Sequence, residues 1–224
     1  MARLPALVDA VAALDSRGRG TVDHVARVAR EAGYIRTTSR GRGAAEMSAV
    51  DAAALLLGLN GAELPKDAPG AIERFGKLKP VSRGITQGVL PRTLRPVWNA
   101  KSFREAVELL IEAPPEDESQ DPPGTRATAW EPAMPLVPPW VEAPQRLTLA
   151  VTFQLPDAAA MITAAWPEDE GSGYAIVNYG DPAAPLNRRP AGARSAQFSL
   201  GLEAFRAVHQ LLQRSAADAV ADRG

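Results

Sequence analysis

The chain contains no cysteine and only two histidines, His24 and His209, in 224 residues. Without cysteine there is no disulfide framework, thiolate zinc site, iron–sulfur cluster or cysteine nucleophile. Two histidines also exclude a site built from several imidazole ligands of one chain. No apolar run approaches the roughly 18 residues of a membrane span. The N-terminal apolar stretch is interrupted by Asp9 and Asp15 and reads as a folded helix, not a signal peptide. Walker, GxSxG and HExxH patterns are missing, and the glycine pairs at 41/43 and 171/173 are too close for a phosphate loop. The acids Glu168, Asp169 and Glu170 read as a solvated corner, and His209 as a boundary residue of a helix. These absences predict a cytoplasmic, non-catalytic protein with no cofactor, no metal and no membrane partner.

What is present is an ordinary globular composition, 46% hydrophobic and 23% charged, with an excess of proline at 20 residues. The net charge of −1 is a cancellation. Residues 1–112 hold 17 basic and 12 acidic residues, whereas residues 113–224 hold 8 and 14. A basic half is joined to an acidic half.

Apolar periodicity predicts an α+β protein. Leu4, Leu7, Val8, Val11 and Leu14 mark a first amphipathic helix. Thr21 is a candidate N-cap for a second helix over 22–32, closed by Gly33. Ser48 and Asp51 resemble a capping box opening a core helix over 49–59. Five prolines make residues 65–100 read as irregular, and Ser102 with Glu105 opens another helix to about 113. Residues 114–146 read as an acidic, proline-rich linker. Period-two alternation then predicts strands over 147–154, 159–166, 174–179 and 196–200, followed by a helix from Leu202. The expected organisation is a winged-helix-like helical module over 1–64, a basic arm and helix over 65–113, the linker, and a small antiparallel sheet with a covering helix over 147–218.

The order helix, Gly33-Tyr34-Ile35, basic glycine-containing loop, apolar helix is that of a winged helix-turn-helix. In that architecture the helix before the wing enters the major groove and the wing touches the backbone. His24, Arg27 and Arg30 would face the groove, and Arg36, Thr38, Arg40 and Arg42 would hold phosphates from the wing. A helical bundle with a polar loop would show the same pattern without binding DNA. Residues 74–104 add a second signal: eight basic residues, among them Lys77, Lys79, Arg83, Arg92 and Arg95, and no acid. An extended arm of this kind tracks phosphates. The alternative is that it pairs with Glu116, Asp117, Glu118 and Asp121 of the linker. Trp130 and Trp140, on proline-stiffened chain, are candidate anchors for a protein partner or for the chain's own sheet.

Three runs carry a resemblance. Val22-Asp23-His24 leads to Ala29-Arg30-Glu31-Ala32-Gly33-Tyr34-Ile35. Arg40-Gly41-Arg42-Gly43-Ala44-Ala45-Glu46-Met47 follows, and then Asp51-Ala52-Ala53 with Leu55-Leu56-Leu57. Together they resemble a segment of uncharacterised prophage and phage-like proteins, and are similar to the helix–wing order of winged-helix repressors and activators. The resemblance spans residues 4–60. It implies a phage-related DNA-binding module and says nothing about residues 65–224. The expected function is that of a transcriptional regulator binding double-stranded DNA, with the C-terminal part supplying dimerisation or a protein partner. The rival expectation is a structural or assembly protein of a phage-like particle, with the same basic segment contacting protein subunits.

Overall fold

A computed structural model describes residues 2–37, 45–115, 146–156, 158–168, 171–180 and 196–221. The first apolar stripe forms α1 (Leu4–Ala12), which buries Leu7, Val8 and Val11. The second helix, α2 (Arg19–Glu31), starts earlier than a Thr21 cap would allow. Gly18 holds the cap position at φ +80, and the Thr21 hydroxyl donates to the Arg17 carbonyl. Its far end is a Schellman turn. Gly33 sits at φ +82, which glycine adopts without Cβ strain. Tyr34 N–H donates to the Ala29 carbonyl at 2.9 Å and Gly33 N–H to Arg30 at 3.0 Å. The turn buries Ile35 and sets the direction of the chain that follows.

Ser48 and Asp51 do form a capping box, and α3 (Ala49–Gly61) follows it with every residue buried except Val50. Such a helix must be surrounded: it packs against α2, α4 (Ala68–Gly76), α6 (Phe103–Glu112) and the sheet. Ser102 caps α6 by accepting from Glu105 N–H, while the Glu105 carboxylate reaches back to Lys101 N–H.

Residues 65–100 are not irregular. They form α4, a strand β1 (Lys79–Gln87) and a short α5 (Arg95–Trp98), with 3-10 turns at Pro65–Asp67 and Arg92–Leu94. The prolines mislead because each sits where it is tolerated. Pro65, Pro69 and Pro96 occupy first turns, whose N–H groups have no helical partner. Pro80 lies on an edge strand, beside a register shift.

The remaining strands are β2 (Thr148–Leu155), β3 (Ala159–Glu168), β4 (Gly171–Gly180) and β5 (Ala196–Gly201), and α7 (Leu202–Ala221) closes the chain. The sheet is antiparallel in the order β1-β4-β3-β2-β5. It therefore has five strands, and one edge comes from the segment read as an arm. Leu149, Val151, Phe153, Ile162, Val177 and Tyr179 alternate onto its inner face, against the helices. Phe75 of α4, Phe103 of α6, Phe153 and Tyr179 meet there with ring centroids 5.2–6.4 Å apart. Buried residues from both halves of the chain thus belong to one hydrophobic cluster. The Tyr179 hydroxyl has no hydrogen-bond partner among the described residues, and burial pushes its pKa up.

At the β3–β4 end, Trp166 lies across Gly173, its register partner. A Cβ on Gly173 would stand 2.0 Å from the indole ring. The indole N–H donates to the Glu168 carboxylate at 3.0 Å, and that carboxylate also accepts from Val89 N–H at 2.7 Å, joining the β3 end to the chain after β1. Gly173→Ala should displace the ring and destabilise the chain by about 1–3 kcal/mol, the range for overpacking. An unchanged urea midpoint would show that the indole does not seat there.

Candidate nucleic-acid interface

Two arginines near α2 serve the fold. Arg17 and Asp15 pair in the turn before α2, with Nη2 2.6 Å from Oδ2. The same guanidinium donates to the Leu59 carbonyl and to Asn60 Oδ1 at the end of α3, and lies 5.1 Å from the Phe198 ring centroid. A cation at a helix C-terminus also meets the negative end of its dipole. Burial raises the Asp15 pKa, but the Arg17 contacts outweigh it and hold the carboxyl below its ordinary value. No spacing rule in the sequence marked Arg17 for this role.

Arg36 is the second. Its Nε and Nη2 reach Asp51 Oδ2 at 2.9 and 2.7 Å, its backbone N–H reaches Oδ1 at 3.0 Å, and Nη2 donates to the Glu46 carbonyl at 2.8 Å. Asp51 accepts further bonds from Ser48 N–H at 2.9 Å and Ser48 Oγ at 2.8 Å. Burial works to raise the Asp51 pKa; the Arg36 and Ser48 bonds overcome it and the net shift is downward. One buried carboxylate therefore ties position 36, the chain at 46–48 and the start of α3 together. In the sequence, the segment 37–45 stands between these tied points. It contains Arg40 and Arg42 and no acid.

On α2, His24, Arg27 and Arg30 are exposed, opposite the buried Val22, Val25, Ala26 and Ala29. Among the described residues neither Arg27 nor Arg30 makes an ion pair, although Asp23 and Glu31 stand one turn away from Arg27. Thr38, Arg40 and Arg42 lie outside the described residues, as do Trp130, Trp140 and the acids Glu116, Asp117, Glu118 and Asp121.

The basic segment 74–104 is spread over α4, β1, α5 and the start of α6 instead of forming an arm. Lys77, at the end of α4, pairs with Glu73 at 2.6 Å, and the Glu73 carboxylate holds its pKa above the ordinary value. α4 packs against α2. Arg83 is committed elsewhere. Its register partner is Val177 on the inner face, and it donates to the Trp98 and Ala100 carbonyls at 2.8 and 2.9 Å. Lys79, Arg92 and Arg95 are exposed, on β1 and around α5. Arg104 pairs with Glu108 at 2.9 Å.

Among the described residues no three His, Asp or Glu side chains cluster as metal ligands. A cleft lined by Val11, Leu14, Leu56, Leu59, Leu200 and Val208 has about 10 Å3 of free space, roughly one water and far below the ~300 Å3 of a small-molecule site. His209 Nδ1 lies 2.9 Å from the Ile111 carbonyl and links α7 to α6. None of the described helices is long and apolar enough to cross a membrane. Compared with protein-family models, curated proteins and solved structures, the chain matches none of them.

Proposed function

We propose that this chain binds double-stranded DNA through the exposed face of α2 and the loop 37–45, as a phage- or prophage-related transcriptional regulator. The observation that carries this reading is the Arg36–Asp51 clamp. It fixes position 36 and the chain at 46–48, the two flanks of the acid-free segment 37–45, and α2 carries outward arginines, Arg27 and Arg30, that have no ion-pair partner among the described residues. Free guanidinium groups on a helix face, with a basic loop at its exit, supply the phosphate contacts such binding needs. Arg36 then acts as the anchor of the loop and Arg83 as a strut of the fold; Lys77, Lys79, Arg92 and Arg95 add positive field around the contact.

Salt dependence tests this directly. Each phosphate contact contributes about 0.9 to the slope of log affinity against log salt. Arg40→Ala with Arg42→Ala should therefore weaken binding to a duplex, read by fluorescence anisotropy, and lower the slope by about 1.8. Arg83→Ala should leave the slope alone. A wild-type chain without salt-dependent affinity for duplex DNA would sink the reading. The rival, an assembly or interaction component, draws its support from the side of the sheet on which none of the described helices packs.

A further inference from the structure

The described helices lie on one side of the sheet. The register places Ala150, Thr163 and Ile176 in one row across the opposite side, and Thr152, Met161 and Asn178 in the next. Thr152 and Ser199 hydroxyls are 3.2 Å apart on this side, and Asn178 donates to Ser82 at 2.8 Å. Ala165 is 6% exposed, yet it stands outside the hydrophobic cluster beneath the helices.

The composition of this side is unusual for a solvated surface. The outward positions of β2, β3, β4 and β5 carry no Asp, Glu, Lys or Arg, in a chain that is 23% charged. Lys79, opposite Gly180, stands at the corner of the edge strand. Small and hydroxyl-bearing residues make the face flat, with Met161, Tyr174 and Ile176 near its middle. Proteins ordinarily scatter charge over water-facing surface to remain soluble.

We infer that this face is the contact between two copies of the chain, packed sheet on sheet about a two-fold axis. A two-fold contact sets a surface against itself, so a charge near the axis would meet its own copy; an uncharged face avoids that. Small side chains allow two sheets to approach to about 10 Å. The size fits as well. Five strands about 4.8 Å apart, over about seven residues of 3.4 Å, present roughly 570 Å2 per copy before side-chain relief. Two copies then reach the lower end of a standard interface, about 1,200 Å2. The inference stands apart from DNA binding: a dimer with no affinity for DNA would leave it intact.

The test is the mass of the full chain by light scattering across the micromolar range. The wild type should be a concentration-dependent dimer. Thr163→Lys, which sets two ammonium groups face to face, should weaken association at least about tenfold. Asn178→Lys, in the neighbouring row, should do the same. Circular dichroism and the urea midpoint check that each variant folds, and either folded variant suffices. A wild-type monomer throughout overturns the inference, and is the result expected if residues 116–145 of the same chain cover the face. Folded variants that dimerise like the wild type overturn it too, and put the contact elsewhere.

Discussion

Phe103→Ala should destabilise the entire chain by about 3–5 kcal/mol, the range for truncating a buried phenylalanine. Phe103 is fully buried at the start of α6. Its ring stands 6.4 Å from Phe75, 5.2 Å from Phe153 and 5.2 Å from Tyr179, measured between centroids. It therefore touches a helix and two strands at once, and no single neighbour can collapse into the space it would leave. Such a loss is a large share of the 5–15 kcal/mol that typically holds a domain together. Because the cluster joins helices from the first half to the sheet of the second, both should unfold in one step. Far-UV circular dichroism and tryptophan fluorescence should give coincident urea transitions, in the wild type and in the variant at lower denaturant. Two separated transitions would mean that the halves do not share a core.

Asp51→Ala should cost about 3–4 kcal/mol, the lower part of the range for breaking a buried ion pair, because Arg36 is itself partly solvated. The carboxylate is 2% exposed and accepts from Arg36 and Ser48, while the Arg36 side chain is 56% exposed. Removing it strands the Ser48 and Arg36 backbone N–H groups as well as the guanidinium. The pH dependence has a definite sign. The folded-state pKa of Asp51 is depressed, so its stabilisation is complete above the unfolded value of about 3.9 and fades as pH falls through the lower folded value. The melting temperatures of wild type and variant should thus differ most near neutrality and converge in strong acid. A gap independent of pH would show that the ionised carboxylate is not what stabilises this corner. If the DNA reading holds, the variant also loosens the base of the loop 37–45 and lowers affinity without removing a contacting arginine.

Much of the local structure was legible because it rests on local chemistry. The stripe at Leu4, Leu7, Val8 and Val11, the caps at Ser48 and Ser102, the Gly33 exit and the alternation from Leu147 to Gln154 each obey rules that act within a few residues. The α2 boundary was misplaced by assigning the cap to Thr21, because Gly18 takes the cap position and the Thr21 hydroxyl, instead of accepting from a helix N–H, donates to the Arg17 carbonyl. Arginine roles were the least legible. Arg17, Arg36 and Arg83 look alike in composition, yet each is consumed by an acceptor 15 or more residues away.

The sequence by itself determined the α+β class, most helix and strand positions, the absence of thiol chemistry and the uneven placement of charge. Those properties depend on periodicity, capping and counting, and need no knowledge of what lies across the core. Only the tertiary structure decided that residues 79–87 complete the sheet, that Phe75, Phe103, Phe153 and Tyr179 fuse the two halves, and which arginines remain free on the surface. The physical reason is range. Strand pairing between β1 and β4 joins residues about a hundred positions apart, and an arginine is free or bound according to the carbonyls and carboxylates that folding brings beside it.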